Sequence, residues 1–69
     1  MALRRAGMSE IVTRGFKIEF KDVDGNVLGT DFFEAEGYPD DVYREAEIYA
    51  EYMINEDAFS ATYYTMKEV

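Results

Sequence analysis

Residues 11–21, IVTRGFKIEFK, alternate apolar and polar side chains, and a tight-turn signal follows at once. Val12, Phe16, Ile18 and Phe20 fall on one side of this run. Thr13, Lys17, Glu19 and Lys21 fall on the other, the period of a half-buried β-strand. Gly15 suggests a bulge within it. The turn signal is Asp24-Gly25 in DVDGN, where glycine supplies the positive φ of a tight reversal. A second run at about 26–36, NVLGTDFFEAE, completes the hairpin. Phe32 and Phe33 are adjacent in it, so they face opposite sides of the sheet and one lies outside the main core.

A helix follows. Gly37-Tyr38-Pro39-Asp40-Asp41 opens it: proline fits a first turn, where its missing N–H costs nothing, and early carboxylates suit the helix dipole. The helix is expected from about Pro39 to Asn55. Steps of 100° per residue gather Val42, Tyr43, Ala46, Tyr49, Ala50, Met53 and Ile54 into a stripe about 140° wide that packs on the sheet. Asp40, Arg44, Glu47 and Glu51 lie opposite. Ile48 and Tyr52, one turn apart, lie well off the stripe. Residues 58–67, AFSATYYTMK, read as a third strand rich in aromatic and β-branched residues. Phe59, Ala61, Tyr63 and Thr65 share one face of it, and Ser60, Thr62, Tyr64 and Met66 the other.

The expected fold is therefore α+β, in the order ββαβ. It is a three-stranded antiparallel sheet of spatial order 2-1-3 with one helix packed on one face. Residues 10–69 form this single domain, and residues 1–9 read as a flexible leader, with Met8 an alternative start. The second sheet face is left open, and Tyr64, Met66 and one of Phe32 and Phe33 are expected on it.

With 69 residues the chain buries about 60% of its unfolded surface, which makes a lone domain marginal. It has no Cys and no His, so disulfides and thiolate or imidazole zinc sites are excluded. Six Tyr and five Phe supply the packing instead. The same composition thins the options for chemistry. Without His, a hydroxyl nucleophile would need Lys17, Lys21 or Lys67 as its base, and all three are expected on strands facing outward. The carboxylates at Asp40, Asp41, Glu45, Glu47 and Glu51 read as a solvated helix face rather than an acid–base pair in a cleft. Asp22, Asp24 and Asn26 have a hairpin's spacing, not that of a calcium loop. No enzyme activity, metal or cofactor is expected.

The charge points elsewhere. Fifteen acids face seven bases, a net of −8. The first seven residues hold Arg4 and Arg5 and no acid, so the rest of the chain carries five bases against fifteen acids, a charge of −10. Such a body is repelled by phosphate backbones and anionic lipid and drawn to basic surfaces. Direct nucleic-acid and membrane partners are not expected, no apolar run approaches a membrane span, and no apolar stretch follows the basic start as in a secretory signal. A cytoplasmic location is the default expectation.

The acids Asp31, Glu34, Glu36, Asp40, Asp41, Glu45, Glu47 and Glu51 run from the second strand onto the helix and form the candidate surface for a basic protein partner. Ile48 and Tyr52, with Tyr64 and Met66, are the candidate apolar contact, for which a second copy is the simplest partner. In size, acidity and want of catalytic side chains, the chain is similar to phage-encoded inhibitors of host defence such as anti-CRISPR and anti-restriction proteins. That compositional likeness implies a non-enzymatic inhibitor that mimics nucleic acid and blocks a basic surface of a host protein such as a defence nuclease. The alternative is a small structural homodimer whose acidity only confers solubility.

Overall fold

The computed structural model describes residues 10–69, so the leader expected at residues 1–9 lies outside the described residues. Strand β1 spans Val12–Lys21, β2 Val27–Gly37, helix α1 Pro39–Asn55, and β3 Tyr63–Glu68, with one 3-10 turn at Ala58–Ser60 before β3. The sheet order is β2-β1-β3, with both outer strands antiparallel to β1 and the helix on one face. This is the expected α+β, ββαβ arrangement.

Aspartate and glycine together make the hairpin turn. The Asp22 carboxylate accepts the backbone N–H of Asp24 and of Asn26, each at 2.9 Å, and the Asn26 side-chain amide at 3.1 Å. Gly25 takes φ +89°, a conformation open to a residue without Cβ. Gly15 pairs in register with Glu34, so the expected bulge is not there. The register shifts instead between Phe20 and Lys21, whose partners are Gly29 and Val27. Leu28 is the extra residue, and the bulge adjoins the turn, where the five-residue reversal must be reconciled with the ladder.

β1 supplies the centre of the core with Phe16, Ile18 and Phe20, all buried. Each contributes about 2 kcal/mol by the area it removes from water. Facing them, α1 presents Val42, Ala46 and Ala50, one turn apart and buried. Two alanines in that row let the helix axis approach the sheet closely. Tyr38 precedes the helix without a side-chain cap, while Pro39, Asp40 and Asp41 fill its first turn. Tyr49, Met53 and Ile54 complete the expected stripe as half-buried neighbours of the core. Tyr43 sits at its rim, exposed, with its ring edge-on to Phe16 at 5.7 Å.

Phe33 turns inward and stacks on Tyr49, ring centres 5.2 Å apart, and Phe32 turns out. The third strand departs from expectation. Residues 58–62 are not extended as a strand: Asp57, Phe59 and Ser60 take positive φ of 63°, 57° and 57°. The chain rolls here and lays the Phe59 ring against Phe20, 5.4 Å between centroids. That roll breaks the alternation that would tie Phe59 and Ala61 to Tyr63. Ala61 is in the core, and so are the faces of Tyr64 and Met66, which pair with Phe20 and Ile18. Tyr64 and Met66 therefore lie under the helix, and the expectation that they occupy the open face is corrected. Tyr63, Thr65 and Lys67 are the β3 residues on the open side, opposite Lys21, Glu19 and Lys17.

Candidate functional site

The acids singled out from the sequence do not form one continuous face. α1 carries Asp40, Asp41, Glu45, Glu47 and Glu51 with Arg44 as its lone base, so the helix is a net −4. Among the described residues, none of these five carboxylates makes a salt bridge; the three ion pairs are Arg14–Glu68, Lys17–Glu19 and Lys21–Glu19. Glu47 and Glu51 flank the β3 side of the helix, close enough to Tyr64 to hold its phenol above the usual value together with the burial that is the main cause. At 100° per residue, Asp41 and Glu45 fall on the opposite flank, toward β2.

Ile48 and Tyr52 lie where the helical period puts them. They are 57% and 58% exposed, on the side of α1 away from the sheet, and the carboxylates stand on both flanks. Ile48 lines a shallow depression of about 340 Å³ together with Arg44, Glu47 and Glu51. The helix exterior thus joins apolar side chains to a net negative charge.

β2 divides its three acids between the two sheet faces. Glu34 and Glu36 alternate with Phe33 and Ala35 and so stand on the open face with Phe32. Their partners across β1 are Gly15 and Thr13, neither of which brings a cation. Asp31 lies on the covered face, half-buried opposite Ile18. Its carboxylate accepts the Tyr49 hydroxyl and, at 2.8 Å, the backbone N–H of Phe32. The bond to Asp31, followed by burial, raises the Tyr49 hydroxyl above the ordinary tyrosine range. Asp31 is thus a pin between helix and sheet. The sequence obscures this role because either Phe32 or Phe33 could have set the inward face.

The open face adds exposed aromatic rings to the lysines that were expected to face outward. Lys17, Lys21 and Lys67, all the lysines of the chain, lie on it with Glu19, Thr30 and Thr65. Two aromatic rings project there, Phe32 at 66% exposure and Tyr63 at 40%. Strand alternation was the available signal for the β1 lysines, but Lys67 needed the true register of β3.

Beside the C-terminal half of α1 lies an open groove of about 360 Å³, lined by Glu51, Ile54, Asn55, Thr62, Tyr63 and Tyr64. It offers one carboxylate and two tyrosine hydroxyls, with no second carboxylate and no lysine. Among the described residues no three metal-ligating side chains converge, and no helix is long and apolar enough to cross a membrane. Neither family models, nor curated proteins, nor solved structures match the chain.

Proposed function

We propose that this protein is a non-enzymatic binding module whose acidic helix docks on a basic surface of another protein. The observation that supports it most is the exterior of α1: five carboxylates with no ion-pair partner among the described residues, around exposed Ile48 and Tyr52. Unpaired surface carboxylates give long-range attraction to a basic patch and a fast encounter. An isoleucine and a tyrosine between them give the docked state an apolar anchor, and tyrosine is a residue type enriched among interface hot spots. A carboxylate row of this kind competes with phosphates for an Arg/Lys groove, so a nucleic-acid-handling protein, such as a nuclease blocked by an inhibitor, is the class of partner we assign.

The test uses affinity capture from the native host, with the captured protein identified, purified and titrated. The triple variant Glu45→Lys, Glu47→Lys, Glu51→Lys should lose that partner, and wild-type binding should weaken as salt rises. Unchanged affinity in the triple variant, with its fold intact by circular dichroism, overturns the proposal. A second reading draws on the same exposed pair: two copies joined through Ile48 and Tyr52. Sedimentation distinguishes it, because Tyr52→Glu would then convert a dimer into a monomer, whereas a wild-type monomer at high concentration would rule the dimer out.

A further inference from the structure

We infer that the outer edge of β2 accepts an extended basic segment of the partner as a fourth, antiparallel strand; this rests on the acidic-module reading above and names the conformation of what it binds. The first observation is backbone geometry. β2 is eleven residues long and, among the described residues, no strand lies beyond it. The direction of its free groups follows from β1. The Gly15 carbonyl accepts the Val69 N–H at 2.9 Å, and the Lys21 carbonyl accepts the Thr62 N–H at 2.8 Å. Odd-numbered residues of β1 therefore turn their polar groups toward β3. Their β2 partners, Thr30, Phe32, Glu34 and Glu36, are non-hydrogen-bonded pairs with β1 and turn theirs away from the sheet. One of the outward donors, the Phe32 N–H, is already held by Asp31. The other groups of these four residues form a ladder open to an added strand, the arrangement used in strand-addition recognition.

The second observation is charge, which selects the occupant. β2 carries three acids and no base. A second copy pairing through the same edge would bring three more carboxylates, and like charges across strands oppose pairing. A basic segment is complementary. Glu34 and Glu36 are two residues apart on one face, roughly 6.8 Å along the strand, the spacing of alternate side chains in the added strand. Phe32 follows on the same face with two-thirds of its surface exposed. Read in the antiparallel direction, the complementary pattern is basic-x-basic-x-apolar. Asp31 refines the register, because capping the Phe32 N–H leaves only its carbonyl to pair at that position.

The experiment titrates the isotope-labelled full chain with a short synthetic peptide of that pattern, using lysines and a valine separated by threonines. Amide shifts should map to Thr30–Glu36. Glu34→Gln with Glu36→Gln, both exposed and away from the core, should weaken binding by roughly tenfold. The helix variant Glu45→Lys, Glu47→Lys, Glu51→Lys should change it by no more than about twofold. A peptide of identical sequence but N-methylated at the edge-facing amides should fail to bind. Equal binding of the methylated peptide, shifts confined to α1, or no binding of the peptide would each overturn the strand-addition site. If those results came with retained capture of a basic protein through α1, the acidic-helix reading would stand and only this inference would fall.

Discussion

Two of the chain's reversals, at 22–26 and 57–62, are made by opposite means. The first reversal uses residues suited to it: Gly25 takes the positive φ, and Asp22 collects the stray amide donors of the turn. The second puts Asp57, Phe59 and Ser60 in the left-handed region with no glycine at all. Such a conformation costs a residue with a Cβ roughly 1–2 kcal/mol. Tertiary packing offsets that cost. The Phe59 ring lies on Phe20 and fills the space over Gly29, where an added Cβ would come within 2.5 Å of the ring. One turn is thus encoded by its own residues and the other by its destination.

The largest effect should come from removing that destination. Phe59→Ala keeps the strained backbone but deletes the ring that offsets it, so unfolding free energy should fall by about 2 kcal/mol, less than for a fully buried ring because Phe59 is half exposed. Urea unfolding measures this. A change below about 0.5 kcal/mol would mean that the second turn stands on local preferences, and the contrast between the two turns would fail.

A pair of reciprocal substitutions sharpens the comparison. Gly25→Ala places a Cβ at φ +89° and should cost about 1–2 kcal/mol. Ser60→Gly releases a serine held in the left-handed region, and should stabilise by about 0.5 kcal/mol after the added freedom of the unfolded chain is counted. Thermal and urea unfolding of the two variants should therefore shift in opposite directions. The same sign for both would show that φ alone does not separate the turns.

This contrast also explains which parts of the molecule were legible in the sequence. β1, the hairpin and α1 have local codes: a period of two, Asp-Gly, and a stripe at 100° steps. They appear where those codes place them, Pro39–Asn55 included. Ile48 and Tyr52 could be recognised as exposed for the same reason, since a helix holds its phase over many residues. β3 lost its phase in the roll at 57–62, which no residue there but the aspartate announces. Tyr64 and Met66 were consequently assigned to the wrong face, where Tyr63, Thr65 and Lys67 stand instead. Asp31 was obscured by a degeneracy instead. With two adjacent phenylalanines, alternation permits either parity, and the choice depends on Phe33 meeting Tyr49 on a distant helix.

The smallest effect concerns the carboxylate that organises the first turn. Hydrogen bonds from the Asn26 backbone and side chain, and then from Asp24 and Gly25, hold Asp22 below the ordinary carboxylate range. A carboxyl with a depressed folded value binds protons more readily in the unfolded chain. Its stabilising contribution is therefore present above the unfolded value and fades as pH falls through the folded one. The chain carries fourteen other carboxylic acid side chains, so the informative quantity is a difference. The stability of wild type minus that of Asp22→Asn, followed by urea unfolding from about pH 6 down to about pH 2, should be positive at the upper end and shrink toward acid. Phe59→Ala supplies the control from the other reversal, since it removes no titrating group and its deficit should not follow this curve. A wild-type advantage over Asp22→Asn that stayed level across the range would mean that the charge on Asp22 is not what orders the hairpin turn, leaving Gly25 alone to encode it.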